Sequence, residues 1–396
     1  MMSDYLNSYI IPIEIENIDE YYSLIYEISL SDTSIIFAGD LSHSAHINLL
    51  IKEISVQLSN SLRLYELGYF DNAYYSLRSA NELATVMLDL SDKDDLEIKN
   101  NFENFRKGKY NKWRGEIIQE LSDNGVVFSD VIDKMPNFKK EIRTLLKEIN
   151  NVVHSNGREN FYCFRYHSLD KNIHYKKLEE FKKHFLSSIK ILAIMRLIVD
   201  PLPLLLTDDE LYYRCPPIII FPFSDKMLSV IGEESIDEFK KTSAYESMEE
   251  WILSFEKRNV AVNEFLMYDF INLDKIDDIY SQKHLIPENK LMILELCCCT
   301  NKIVEIMSGN GFYTFFTSSK KETYTCNSLD IDELIKINDY NNISYDEIYV
   351  SVMKIKENIE ISLKSLDNLI YIFHEEKLDD GEIKCIEEKI RDFKII

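Results

Sequence analysis

Between residues 46 and 199, in successive segments, the apolar side chains recur every three or four positions. Ile47, Leu50, Ile51, Ile54 and Leu58 set the pattern. This spacing gathers one apolar stripe on one face of a helix of 3.6 residues per turn. Glycine and proline, which end helices and shape tight turns, supply only 10 and 8 of the 396 residues. An average chain would devote about 12% of its length to them. The expected fold is therefore mainly α, with long helices and few tight loops.

The helices can be separated by their stop signals. Residues 46–67 form one, closed by Gly68, and Asp71 is placed to cap the next. That second helix carries Ala73, Leu77, Ala80, Ala84 and Met87 on one face and ends near residue 90. A helical segment runs to about residue 106, and Trp113, Ile117 and Leu121 mark a short one. Pro136 opens a strong helix with Phe138, Ile142, Leu145, Ile149 and Val152 inside, which stops at His154 before Ser155–Asn156–Gly157. Residues 173–199 form the last, with Leu178, Phe181, Phe185, Ile189 and Leu192 facing the core.

Five of the eight prolines fall between residues 201 and 222, which reads as a joint between domains. The predicted organisation is a lead-in at 1–45 with short strands at 9–15 and 34–38, a helical bundle at 46–200, a Pro-rich linker at 201–222, and an α+β domain at 223–396. In that last domain, helices are expected at 246–256, 330–338 and 345–375. They surround a small antiparallel meander of strands at 291–299, 302–307, 312–317 and 322–326. Ser308–Gly309–Asn310–Gly311 has the residues of a hairpin turn.

The opening residues mix polar and apolar positions and include Asp4, Glu14 and Glu16, unlike a secretory leader. The most apolar stretch, 189–206, contains Lys190, Arg196, Asp200, Pro201 and Pro203, so no membrane span is expected. Seven cysteines at irregular spacing, with no CxxC pair, suit free thiols in a reducing, cytoplasmic setting. Cys297–Cys298–Cys299 are expected as small core-filling residues of a strand. His43 and His46 beside Asp40 lack a further ligand, so neither a metal nor any other cofactor is expected. No phosphate-binding loop, dinucleotide fingerprint or nucleophile elbow is present.

Net charge is −23, yet it is unevenly spread. Residues 101–200 hold 19 Lys/Arg against 13 Asp/Glu, a surplus of six, which leaves −29 on the remainder. An acidic body repels polyanions in general, while a basic middle can hold one in a defined place. Within that middle, Arg106–Lys107–Gly108–Lys109–Tyr110–Asn111–Lys112–Trp113–Arg114 puts five cations and two aromatics around a glycine with no acid. Cations neutralise phosphates and aromatic rings stack on unpaired bases. Arg106, Lys107, Lys109, Tyr110, Lys112, Trp113 and Arg114 are accordingly candidate RNA contacts. A solvated basic loop with Trp113 in the core is the other reading. Lys171, Lys176, Lys177, Lys182 and Lys183 form a weaker group, interrupted by Glu179 and Glu180.

The most specific feature is a pair of helices. The first reads Tyr69–Phe70–Asp71–Asn72–Ala73–Tyr74–Tyr75–Ser76–Leu77–Arg78–Ser79–Ala80–Asn81–Glu82, and the second ends Asn150–Asn151–Val152–Val153–His154–Ser155. Over residues 46–200 this resembles the HEPN family of helical modules. Their first core helix often shows an alanine, then Leu-Arg with a Glu four residues on, and their last ends in a polar residue, two apolar residues and His.

The resemblance implies a helical bundle that pairs with a second copy of itself, and an RNA-directed role. In active members this is metal-independent endoribonuclease activity, often of a bacterial defence or toxin type. His154 matches the family's histidine. The arginine that active members carry five or six residues before it is absent, since Glu148 and Ile149 stand there and Arg143 is the nearest upstream. Metal-free cleavage needs a base for the 2′-hydroxyl proton and a cation where phosphate charge develops. His154 is the candidate base, and Arg158 and Arg78 are the candidate cations. Glu82, Asn150 and Asn151 are expected in support, although Arg78 and Glu82 at i, i+4 can equally form a structural pair. The alternative is a non-catalytic module for dimerisation or protein interaction, with the acidic C-terminal domain receiving a partner protein.

Overall fold

A computed structural model describes residues 12–30, 41–92, 95–161, 171–217, 220–308, 313–319, 343–345, 348–356, 369–374 and 378–392. The fold is mainly α, and the chain divides into two compact units, Met1–Phe255 and Glu256–Ile396.

The first unit opens with α1 (Ile18–Leu30), α2 (Leu41–Glu66), α3 (Phe70–Asp89), α4 (Asp95–Arg106), α5 (Arg114–Asn124), α6 (Phe128–Lys134), α7 (Phe138–Val153) and α8 (Lys171–Val199). Helix α3 is the hub, packing against α2, α5, α7 and α8. Its sequence explains this. Ala73, Ala80 and Ala84 are fully buried and keep its surface narrow, so neighbours approach from several sides. The larger Phe70, Tyr74, Leu77 and Met87 fill the gaps between them. Tyr65 of α2 stacks on Phe181 of α8, with ring centroids 3.8 Å apart. Buried polar groups on α3 meet α8: the Asn81 amide donates to Ser188 Oγ at 3.0 Å, and Tyr74 Oη lies 3.0 Å from His184 Nδ1. One face of α3, including Tyr75, Arg78 and Glu82, retains solvent access.

The Pro-rich stretch at 201–222 is not a linker between domains. Leu202, Pro203, Leu204, Leu205 and Leu206 are buried in the core of the first unit, and the amide of Phe223 donates to the Pro203 carbonyl at 2.8 Å. Pro201 and Pro203 sit at the start of a short helix, α9 (Leu202–Leu205), where a missing N–H is no loss. Here proline shapes helix starts inside a folded unit. Arg196 and Asp200, both buried, pair across one helical turn at 3.6 Å, and Asp200 accepts the Leu202 amide at 3.0 Å. Further short helices, α10 (Asp209–Tyr212), α11 (Asp225–Ile231), α12 (Glu233–Phe239) and α13 (Ser243–Leu253), complete the unit, with Met227, Phe239 and Ile252 joining the same core.

Among its described residues the second unit holds α14 (Val260–Tyr268), α15 (Ile276–Ser281), α16 (Glu288–Cys297), α17 (Asp380–Asp392) and a six-stranded sheet. Its strands are β1 (Phe270–Ile271), β2 (Ile303–Ser308), β3 (Tyr313–Thr317), β4 (Ile343–Tyr345), β5 (Ile348–Lys356) and β6 (Leu369–His374), in the order β1-β3-β2-β6-β5-β4. The sheet is mixed rather than purely antiparallel, because β1 runs parallel to β3. The expected strands at 302–307 and 312–317 are present as β2 and β3.

Two other expectations are corrected. Residues 291–299, read as a strand, belong mostly to α16, which starts after Pro287 and is rich in Leu and Met rather than β-branched residues. Residues 345–375, read as helical, contain β5 and β6 instead, whose Ile, Val, Tyr and Phe content favours a pleated surface. The strands expected at 34–38 and 322–326, the helix at 330–338 and most of the hairpin turn at 308–311 lie outside the described residues. Cys299 and Cys385 bring their sulfurs to 2.8 Å, while Cys298 is exposed.

Candidate active site at the end of helix α7

Helix α7 ends where its sequence says it should. Ser155 turns into the left-handed region with φ 49°, its amide donates to the Val152 carbonyl at 3.1 Å, and the Asn156 amide reaches back to Asn151 at 2.8 Å. These two bonds form a Schellman cap. Gly157 follows with φ 89°, a conformation that a side chain resists. His154 is thereby the C-cap of the helix, exposed just past its last residue, Val153.

The face of α3 left open by the core meets this end. Tyr75 Oη donates to the carbonyl of Val153 at 3.2 Å, which satisfies one of the helix's terminal acceptors. One turn on, Arg78 Nη1 lies 2.9 Å from His154 Nε2. A guanidinium only donates, so in this contact Nε2 is the acceptor. Arg78 Nε donates to Glu82 Oε1 at 2.7 Å, so Glu82 holds the guanidinium against the ring. Two of the five N–H groups of Arg78 are used, and three remain for an anion.

Two buried groups beside this cluster have no hydrogen-bond partner among the described residues. The first is the guanidinium of Arg114, at the start of α5, whose three nitrogens are all buried. Burial lowers its pKa to about 9; the charge of Glu82 pulls it back up and that of Arg78 pushes it further down. The second is Asn150 Oδ1, one turn before His154. Asn151 serves the cap: besides its carbonyl bond, its Oδ1 accepts from the Asn156 amide group at 3.5 Å. Of the two candidate cations, Arg78 is the one placed on His154. Arg158 lies beyond the cap, exposed, in a short 3-10 turn.

The basic loop is largely committed to the fold. Asp89, at the end of α3, is fully buried. It accepts hydrogen bonds from Tyr110 Oη at 2.7 Å, Lys112 Nζ at 3.2 Å and Asn101 Nδ2 at 3.3 Å. Burial, then the bond and charge of Asp89, push the Tyr110 phenol upward in pKa. Lys112 also reaches Glu120 at 3.1 Å. Arg106 and Lys107 both pair with Glu103, at 3.3 and 2.8 Å. Trp113 is 76% exposed rather than in the core, and Lys109 is exposed. On α8, Lys177 pairs with Glu180 and Lys182 with Glu179.

A further group of cations without a carboxylate among the described residues lies on α7 itself. Lys140 and Lys147 are exposed with no partner among the described residues, and Lys139 and Arg143 share only the amide oxygen of Gln119, each at 3.2 Å. The signal was present in the sequence as Lys139, Lys140, Arg143 and Lys147 at helical spacing, but the denser loop at 106–114 masked it.

No protein-family model matches this chain, and no curated protein or solved structure provides a match either. Among the described residues, no group of three or more His, Cys, Asp or Glu is arranged to hold a metal ion. None of their helices is long and apolar enough to cross a membrane.

Proposed function

We propose that this is an RNA-directed protein of HEPN-like type, acting as a metal-independent endoribonuclease through His154 and Arg78. The observation that carries the reading is the 2.9 Å contact between Arg78 and His154, residues 76 positions apart on separate helices. In sequence the motif arginine is missing from α7; in space Arg78 of α3 supplies a guanidinium at the imidazole. Glu82 fixes its orientation, as a functional guanidinium requires.

The chemistry follows from these groups. His154 Nε2 takes the proton of an RNA 2′-hydroxyl once the phosphate has drawn Arg78 toward itself. The freed oxygen attacks the adjacent phosphorus, the bond from phosphorus to the 5′-oxygen breaks, and that oxygen takes a proton from water. The products are a 2′,3′-cyclic phosphate and a 5′-hydroxyl. The unused N–H groups of Arg78 stabilise charge on the phosphorane. Two copies pairing through the helical unit, and a defence or toxin role, extend the proposal by family resemblance.

A second reading has its own observation. Arg78 already engages the nitrogen that must act as base, and Tyr75 and Glu82 complete a closed set of contacts between α3 and α7. In that reading the cluster is structural, and the unit is a dimerisation or protein-interaction module.

Cleavage of a mixed RNA pool in the presence of EDTA separates the two. Wild type is expected to release cyclic-phosphate ends, and His154→Ala to lose on the order of 100-fold or more in rate. No cleavage by folded wild type, or equal cleavage by His154→Ala, refutes the nuclease reading.

A further inference from the structure

We infer that the outer ridge of helix α7 is a track for the sugar–phosphate backbone of single-stranded RNA, leading to His154. The inference rests on the RNA-directed reading and assigns the substrate-binding surface to residues outside the basic loop.

The charge on α7 is sorted by flank. Its two acids point toward α8, where Glu141 pairs with Lys190 at 3.1 Å and Glu148 lies 3.2 Å from the ring of His184. Its four cations point the other way. Lys139, Lys140, Arg143 and Lys147, with Pro136 and Thr144, line an open groove of about 390 Å³. The groove's polar neighbour on α5 is Gln119, whose Oε1 accepts from Lys139 and Arg143 and whose Nε2 donates to Asp123 at 2.8 and 3.0 Å. Asp123 therefore tempers the ridge at one edge without pairing any of its cations.

Helix geometry joins this groove to the candidate active site. Lys140, Lys147 and His154 are spaced by seven residues, two helical turns to within about 20°. They form one line roughly 21 Å long. Thr144 and Asn151 fall between them at i+3 and i+4 steps. The line starts among unpaired cations and ends at an imidazole held by Arg78. A strand whose phosphates follow the cations would arrive where the candidate base His154 and Arg78 stand together. A basic surface unmatched by acids is complementary to a polyanion, and to a flexible single strand that can follow a straight ridge.

The test is binding of a fluorescein-labelled single-stranded RNA to the full chain, by anisotropy, between 50 and 200 mM salt. Each phosphate contact to a single strand contributes about 0.7 to the slope of log affinity against log salt. Replacing Lys139, Lys140, Arg143 and Lys147 by Gln should lower that slope by about 3 and weaken binding at least 10-fold at 100 mM salt. All four are at the surface, and far-ultraviolet circular dichroism checks that the variant is folded. Replacing Arg106, Lys107 and Lys109 by Gln should lower the slope by less than 1. An unchanged slope in the α7 variant, or a larger drop in the loop variant, overturns the inference. RNA binding by wild type without cleavage would remove the nuclease reading and leave the track standing. No RNA binding by wild type overturns both.

Discussion

Asp89 anchors the loop that the sequence alone offers as a nucleic-acid contact, and removing it should show how strongly. Its carboxylate is fully buried and receives Tyr110, Lys112 and Asn101 at 2.7, 3.2 and 3.3 Å. Taking away one partner of a buried charged cluster costs about 3–5 kcal/mol, because the remaining groups lose compensation they cannot recover from water. Lys112 keeps Glu120 and its side chain is 28% exposed, so it can be partly resolvated. Asp89→Ala should therefore fall near the lower end, about 3 kcal/mol. Asp89→Asn keeps an acceptor for Tyr110 but loses the charge facing Lys112, and should cost about 2 kcal/mol. Both tryptophans, Trp113 and Trp251, lie in the first unit, so their fluorescence in urea reports that unit alone. With a slope of about 3 kcal/mol per molar, the midpoint for Asp89→Ala should drop by roughly 1 M. A loss below 1 kcal/mol with unchanged slope would refute the view that Asp89 ties the loop to α3.

Other perturbations follow from the same geometry. Arg114→Met should stabilise the first unit by about 1–4 kcal/mol in urea unfolding at pH 7, since it removes a buried charge without a hydrogen-bond partner; destabilisation would show that the guanidinium has a partner in solution. Because the folded pKa of Arg114 is depressed to about 9, the unfolded chain binds the extra proton above that pH, so the penalty carried by wild type should shrink from about pH 9 upward. Ser155→Gly should raise stability by about 0.5–1 kcal/mol in a thermal melt, because Ser155 holds a left-handed φ of 49° that glycine adopts freely. For His184, burial outweighs Glu148 and lowers the pKa below its ordinary 6.5. Between the folded and unfolded values the unfolded state binds more protons, so stability should fall as pH drops below about 6.5. The urea midpoint of His184→Gln should vary less between pH 7.5 and pH 5 than that of wild type, and an equal variation would remove His184 as the cause.

The helical half of this protein was legible because its causes are local. Apolar spacing around Ile54, Leu77, Ile149 and Phe185, with Gly68 and Ser155–Asn156–Gly157 as stops, located α2, α3, α7 and α8 with ends that differ from the structure by a few residues. A short helix start and a short linker both use proline, which is why residues 201–222 could not be told apart from a joint until Leu202, Leu204 and Leu205 were seen in the core. In the second unit, the run at 291–299 and the segment 345–375 were ambiguous because an apolar run fits a helix face or a buried strand, and the parallel pairing of β1 with β3 joins residues about 45 positions apart. At the candidate site the sequence placed Arg78 and His154 on facing helices as candidates. Only packing of α3 onto α7 chose Arg78 over Arg158 and set it at 2.9 Å. The same packing decided the fate of the cations. Counting charge along the chain cannot show that Glu103 takes Arg106 and Lys107 and Asp89 takes Lys112, while the acids of α7 face α8 and not its lysines, because which charges meet is set by distances that arise only once the helices dock.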